Sequence, residues 1–146
     1  MHERTLVILK PDALRRSLVG KIVIYFEEAG LKIDAMQLKL ITHKEADAHY
    51  GDLNMRKGEQ VKKSAVEYLT DGTSIIMILS GANAVEKVRK ICGDTDPLKA
   101  DPGTIRFRFA STSVQHANSL NLPVMNLIHS SATEEEAEME IKNLFY

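Results

Sequence analysis

Apolar and polar positions along this chain fall into short blocks whose period changes from two to about four and back. Thr5–Leu9 is an apolar, β-branched run stopped by Pro11, which predicts a buried strand. Leu18, Val19, Ile22, Val23, Phe26 and Ala29 then recur at helical spacing, and Gly30 follows as a C-cap. Leu31–Ile41 alternates, but its apolar phase slips near Ala35 and Met36, which predicts a strand with a bulge. Lys44–Tyr50 reads as a short helix and Glu59–Leu69 as a longer one, closed by the Asp71-Gly72 turn. Thr73–Leu79 is the strongest strand and is expected at the centre of a sheet. Ala84, Val85, Val88, Ile91 and Cys92 mark one face of a helix that Gly93 ends.

Past Gly93 the pattern is weaker. Asp94–Gly103, with Pro97 and Pro102, reads as a loop. Ile105, Phe107 and Phe109 alternate with Arg106 and Arg108, as in a half-exposed strand. Ala110–Pro123 is polar and irregular, and a loop of that length in a compact domain is often functional. Thr133–Tyr146 is expected to be a final helix, with Thr133 and Glu136 in a capping-box pattern and Ser131 with Glu134 as a second candidate. Four strands with helical elements between them predict an α+β ferredoxin-like sandwich, a four-stranded antiparallel sheet with helices packed on it. A flavodoxin-like parallel sheet is the alternative, because periodicity does not set strand order.

No repeat or linker divides residues 1–146, which are read as a single domain. Nineteen Lys+Arg against 20 Asp+Glu leave a formal charge of -1, so bulk charge points neither to nucleic acid nor to an anionic membrane. An anion site must therefore be a local cluster of cations. Cys92 is the only cysteine, which excludes an internal disulfide and any zinc site needing two thiolates, and suits a reducing cytoplasm. No apolar run approaches the ~18 residues of a membrane span.

Three segments could carry chemistry. Lys10-Pro11-Asp12 leaves a lysine at the end of the first strand. Arg89, Thr95 and Arg106 offer two guanidiniums and a hydroxyl, and arginine matches phosphate oxygens bidentately. Asn126–Ser131 ends an apolar strand on His129, just before a capped helix, where a neutral imidazole is a good nucleophile. Taken one at a time, each reads as a solvated charge or a packed core histidine. The P-loop, the G-x-G-x-x-G turn and the protein-kinase motifs are all absent.

Together, ERTLVILKPDALRRSLVGKIV, HYGDL, VRKICGDTDPLKADPGTIR and NLIHSS stand in the order, and over nearly the whole length, in which they resemble the nucleoside diphosphate kinase family. The resemblance implies a ferredoxin-like fold and transfer of the γ-phosphoryl group from a nucleoside triphosphate, typically ATP, to a nucleoside diphosphate by a ping-pong route. It makes His129 the phosphorylated nucleophile. Lys10, Tyr50, Arg89, Thr95, Arg106 and Asn126 become nucleotide-binding groups, and Ser131 and Glu140 become supports of the imidazole. Mg²⁺ would bridge the nucleotide phosphates, no metal being held by protein side chains alone. A homo-oligomer, tetramer or hexamer, is implied as well.

The chain departs from the family pattern in several places. Ser130 and Ala132 flank Ser131 where a small residue and then an aspartate are usual. Extra residues lie between Tyr50 and Tyr68, and Val61 is the nearest apolar residue to the place of the base-stacking aromatic. The stretch Ala110–Pro123 is longer than usual, and the chain ends at Tyr146 without the family's C-terminal extension. An RNA-binding reading of Arg106–Phe109 on a ferredoxin-like sheet fails on the absent RNP1 pattern and the 5% aromatic content.

Overall fold

The computed structural model describes residues 1–146. Four strands, β1 (His2–Leu9), β2 (Lys32–Lys39), β3 (Ser74–Ala82) and β4 (Ile128–Ser130), form one sheet in the order β2-β3-β1-β4. Every neighbouring pair is antiparallel, which rules out the flavodoxin-like alternative. Between β2 and β3 the register shifts between Ile33 and Ala35, so the slip in apolar phase is a bulge at Asp34.

Both faces of the sheet are covered, which is why Leu6–Leu9 of β1 and Ile75–Leu79 of β3 run apolar without a break. Val7, Leu9, Met77 and Leu79 face one layer. There they meet Ile22 and Phe26 of α2 (Val19–Glu28) and Val88 and Cys92 of α6 (Ala84–Cys92). Leu6, Ile8, Ile76 and Ile78 face the other. They pack on Ala46 of α3 (His43–Tyr50), Val66 and Leu69 of α5 (Glu59–Thr70), and Ile141 and Leu144 of α9 (Glu134–Phe145). The short α1 (Pro11–Arg15) starts on Pro11, and α4 (Leu53–Lys57) fills the turn before α5.

The two helices after Gly93 correct the expectation for this region. Ile105–Phe109 is not a strand but a helix, α7, whose N-cap Thr104 accepts a hydrogen bond from the Phe107 N–H at 3.3 Å. Five residues are too few to separate period two from period 3.6. Ile105 and Phe109, four apart, turn inward together, and Phe107 is left half exposed at 51%. The fourth strand is β4 instead. Within Ala110–Pro123 the chain forms a further helix, α8 (Val114–Ser119), capped by Ser113, and Pro97–Lys99 is a single 3₁₀ turn. Thr133 caps α9 as expected, accepting from Glu136 N–H at 3.0 Å. Ser131 makes no second cap, because its hydroxyl is used elsewhere.

Candidate active site

His129 sits in the middle of the three-residue edge strand β4, opposite Ile8 of β1. The turn before it is tight. Ile128 N–H donates to Asn126 C=O at 2.9 Å around Leu127, a fully buried leucine held at φ 74. That is a γ-turn around a non-glycine residue in the left-handed region, a conformation that costs about 1–2 kcal/mol. Packing of Leu127 in the core and the bond from Lys10 N–H to its carbonyl (2.8 Å) hold it there. Strain of this kind, retained beside a nucleophilic side chain, belongs to functional sites.

Behind the imidazole stands a carboxylate. Glu140 Oε2 lies 2.8 Å from His129 Nε2 and 3.4 Å from His49 Nδ1. Its other oxygen accepts a 2.5 Å hydrogen bond from Ser131 Oγ, and that hydroxyl in turn accepts from Leu6 N–H at 3.3 Å. Ser131 is fully buried and Glu140 is 7% exposed. Burial pushes the Glu140 carboxyl up, while His49 and the Ser131 hydroxyl favour its ionised form. Nε2 thus faces the carboxylate at contact distance without forming an aligned hydrogen bond, and Nδ1 is the imidazole nitrogen left for chemistry. Burial, with Lys10, Arg106 and Arg89 nearby, brings the His129 pKa down to about 3, although Glu136 acts the other way. The ring is neutral and nucleophilic at pH 7.

In front of His129 opens a cavity of about 470 Å³ lined by Lys10, Tyr50, Arg89, Thr95, Arg106 and Asn126. All six residues expected to bind nucleotide meet in one place, brought from β1, α3, α6, the following loop, α7 and the turn before β4. Ser131 and Glu140 lie behind the ring instead. Lys10 Nζ donates to Asn126 Oδ1 at 3.1 Å and stands 5.2 Å above the Tyr68 ring. Burial, then Arg106, lowers its pKa to about 8, with Asp12 opposing. Arg106 is 7% exposed and gives its guanidinium to three carbonyls: Gly93 (2.7 Å), Asn126 (3.3 Å) and Ile128 (2.5 Å). It is a strut as well as a charge. Asn126 Nδ2 donates to Thr95 C=O at 2.9 Å, which ties the loop to the wall.

Two residues escaped the sequence reading. His49 is almost fully enclosed, with its ring centroid 4.4 Å from that of His129 and edge-on to it, and its pKa falls to about 3 through burial and then His129. Its place directly before Tyr50 was the available signal. Arg56 of α4 lines the cavity mouth, where its Nε donates to Asp52 at 3.2 Å. It lies in the extra residues that match no motif.

The only group of three close metal-type ligands is His49, His129 and Glu140, two nitrogens and one carboxylate. That set is too nitrogen-rich for Mg²⁺. Asp94 and Glu136 on the cavity wall are the oxygen donors that suit it. No helix is long and apolar enough to cross a membrane.

Comparison with known proteins agrees with this geometry. The family model described as nucleoside diphosphate kinase matches residues 3–146. A nucleoside diphosphate kinase of Methanocaldococcus jannaschii is 40% identical over 145 residues, covering 99% of this chain and 94% of that protein. One from Pyrococcus abyssi is 43% identical over 143 residues, covering 98% of this chain and 84% of that protein. Among solved structures, a transition-state mimic of the Borrelia burgdorferi nucleoside-diphosphate kinase with bound vanadate and ADP superposes with a TM-score of 0.95. It has 36% identity and covers 99% of this chain and 88% of the other. An NDP kinase from Pyrobaculum aerophilum gives a TM-score of 0.90 at 34% identity, over 100% and 97% of the two chains. With the family matched from residue 3 to the last residue, the chain belongs to the nucleoside diphosphate kinase family.

Proposed function

We propose that this protein moves the γ-phosphoryl group of a nucleoside triphosphate, typically ATP, to a nucleoside diphosphate through a phosphohistidine at His129. The observation that carries the reading is a neutral imidazole, its Nε2 2.8 Å from a buried carboxylate, in the wall of a cavity lined by Lys10, Arg89 and Arg106. In the first half-reaction the Nδ1 lone pair attacks the γ-phosphorus. The bond to the β–γ bridging oxygen breaks, and the diphosphate leaves with that electron pair. The ring gains positive charge, which Glu140 stabilises across 2.8 Å. In the second half-reaction a terminal oxygen of another diphosphate attacks the same phosphorus and Nδ1 leaves. Lys10, Arg89 and Arg106 neutralise the charge, and Tyr50, Thr95 and Asn126 position the chain of phosphates. Phosphoryl transfer needs placement and charge balance more than acid–base help. The Borrelia burgdorferi neighbour, solved with vanadate and ADP, supports this use of the fold.

Mg²⁺ enters with the nucleotide. Asp94 and Glu136 would face it, and when bound it offsets phosphate charge. The whole of 1–146 acts as a single unit in this reading, with nucleoside di- and triphosphates as its partners and nucleic acid not a main one. Assembly as a tetramer or hexamer is supported by the edge strand β2, where Met36 and Leu38, with Leu40 just beyond the strand, are exposed at 46%, 64% and 62%. A cytoplasmic setting is supported by the single buried thiol of Cys92.

Intact-mass analysis tests the relay. Brief incubation with ATP and Mg²⁺ should add one acid-labile phosphoryl group, mapped to His129 and discharged by GDP. No gain in mass, or a gain that survives in His129→Ala, would refute it.

A further inference from the structure

The cavity in front of His129 does not end at Lys10, Tyr50 and Asn126. The same three residues line a second cavity of about 380 Å³ that runs away from the imidazole. One of its walls is α5, with Val61 and Ala65. The other is the long stretch after α7, with Leu122, Pro123 and Val124. Three carboxamides, Gln60 on α5 and Asn118 and Asn121 on the other wall, line it as well. Asn118 and Asn121 are exposed, and Asn121 holds the turn out of α8 at φ 55, a conformation asparagine tolerates. Gln60 Nε2 donates to Ser64 Oγ at 3.3 Å.

A nucleotide with its phosphates on Lys10, Arg89 and Arg106 must send its ribose and base past the shared residues into this second space. The two rings in this space, Tyr50 and Tyr68, belong to its Lys10 end, where Tyr50 is shared with the first cavity and Lys10 Nζ lies 5.2 Å from the Tyr68 centroid, and the two longer walls offer Val61 and Leu122 instead. Affinity for the base then has to come from an apolar sandwich plus hydrogen bonds at the base edge. A carboxamide carries a donor and an acceptor side by side, and these match N6 and N7 of adenine, while its donors serve N7 and O6 of guanine. Pyrimidines have no N7 and do not reach as far.

We propose that Asn118 and Asn121, with Gln60, read the Hoogsteen edge of a purine seated between Val61 and Leu122, and so make this enzyme selective for purine nucleotides. The proposal rests on the reading that polyphosphate occupies the first cavity. It gives the inserted stretch a task, because two of the three reading groups lie in it.

Calorimetric titration with the Mg²⁺ complexes of ADP, GDP, CDP and UDP tests it, with tripolyphosphate as a probe of the first cavity alone. Wild-type protein should bind the two purine diphosphates about tenfold tighter than the pyrimidine ones, the low end for paired base contacts. In Asn118→Ala/Asn121→Ala that preference should fall to within about twofold, with tripolyphosphate binding unmoved. Asn118→Ala alone is safe for folding, because alanine is the better helix former at the exposed end of α8, and it should lose about threefold of the preference. Equal affinities for all four diphosphates in the wild type, or an equal loss for all four in the variants, would overturn base reading and leave the phosphate site standing. Failure of tripolyphosphate to bind the wild type would overturn both.

Discussion

Replacing Glu140 by glutamine removes one charge from behind the imidazole and almost nothing else. The side chain keeps its size, and an amide oxygen can still accept from Ser131 Oγ, now at 2.5 Å from the carboxylate. What disappears is the attraction between Oε2 and a ring that becomes cationic as phosphorus bonds to Nδ1. Across a few ångströms at an effective dielectric of ~20 the gross Coulomb term is about 4 kcal/mol, an upper bound on the effect. The contact is not an aligned hydrogen bond, and solvent screening with the spread of charge over the ring leaves roughly half of that term, about 1.5–2.5 kcal/mol. At 1.36 kcal/mol per decade, phosphorylation of His129 should slow by about 10- to 70-fold. Because Glu140 does not line the nucleotide cavity, the Kd for ATP should stay within about twofold. Rapid-quench measurement of phosphohistidine formation at saturating ATP reads the first quantity and calorimetry the second. Burial pushes the Glu140 carboxyl up, so the neutral amide should not lower the melting temperature. A rate within twofold of wild type would show that the carboxylate does not polarise the ring. A loss confined to Kd would show that Glu140 works through the shape of the cavity.

The lysine at the end of β1 predicts a pH limit. Its pKa in the free protein is lowered to about 8, so the cation is present below that value and lost above it, and kcat/KM should fall with a single slope as pH rises through 8. A profile flat to pH 9.5 would contradict its charge role. Thr133→Ala removes the cap of α9 and should cost ~1 kcal/mol, or about 3 °C in Tm for a chain of this size, read by calorimetry. Phe26→Ala opens a void under the sheet where the ring is fully buried. It should cost ~3–5 kcal/mol in urea unfolding, and a change below ~1 kcal/mol would mean that α2 is not anchored there.

Legibility followed the strength of the local signal. Ile75–Leu79 had no competing period, and the bulge at Asp34 showed because one residue out of phase flips every later side chain. Thr133 was legible because its cap is local. Ile105–Phe109 was not, since three apolar residues in five fit either period and the inward turn of Arg106 is decided by three distant carbonyls. In the same way α8 hides behind a polar composition, and only Ala117 on it is buried. For the site, Lys10, Arg89, Thr95, Arg106 and His129 were visible as residue types in suggestive places, but their convergence came from the resemblance to a family. Glu140 and His49 are set by helix packing against β1 and β4, a contact that no spacing along the chain expresses.

One consequence follows from where Arg106 spends its hydrogen bonds. At the start of β4 the Leu127 carbonyl turns toward β1, where it meets Lys10 N–H, so the Asn126 and Ile128 carbonyls turn outward along a sheet edge that has no further strand. The guanidinium occupies both. It stands where a neighbouring strand would, and it closes an edge that would otherwise be a template for pairing with another chain. Purging variants at this position would therefore not require loss of catalysis alone. The same substitution should leave the folded chain with an open sheet edge and a greater tendency to self-associate, before any nucleotide is bound.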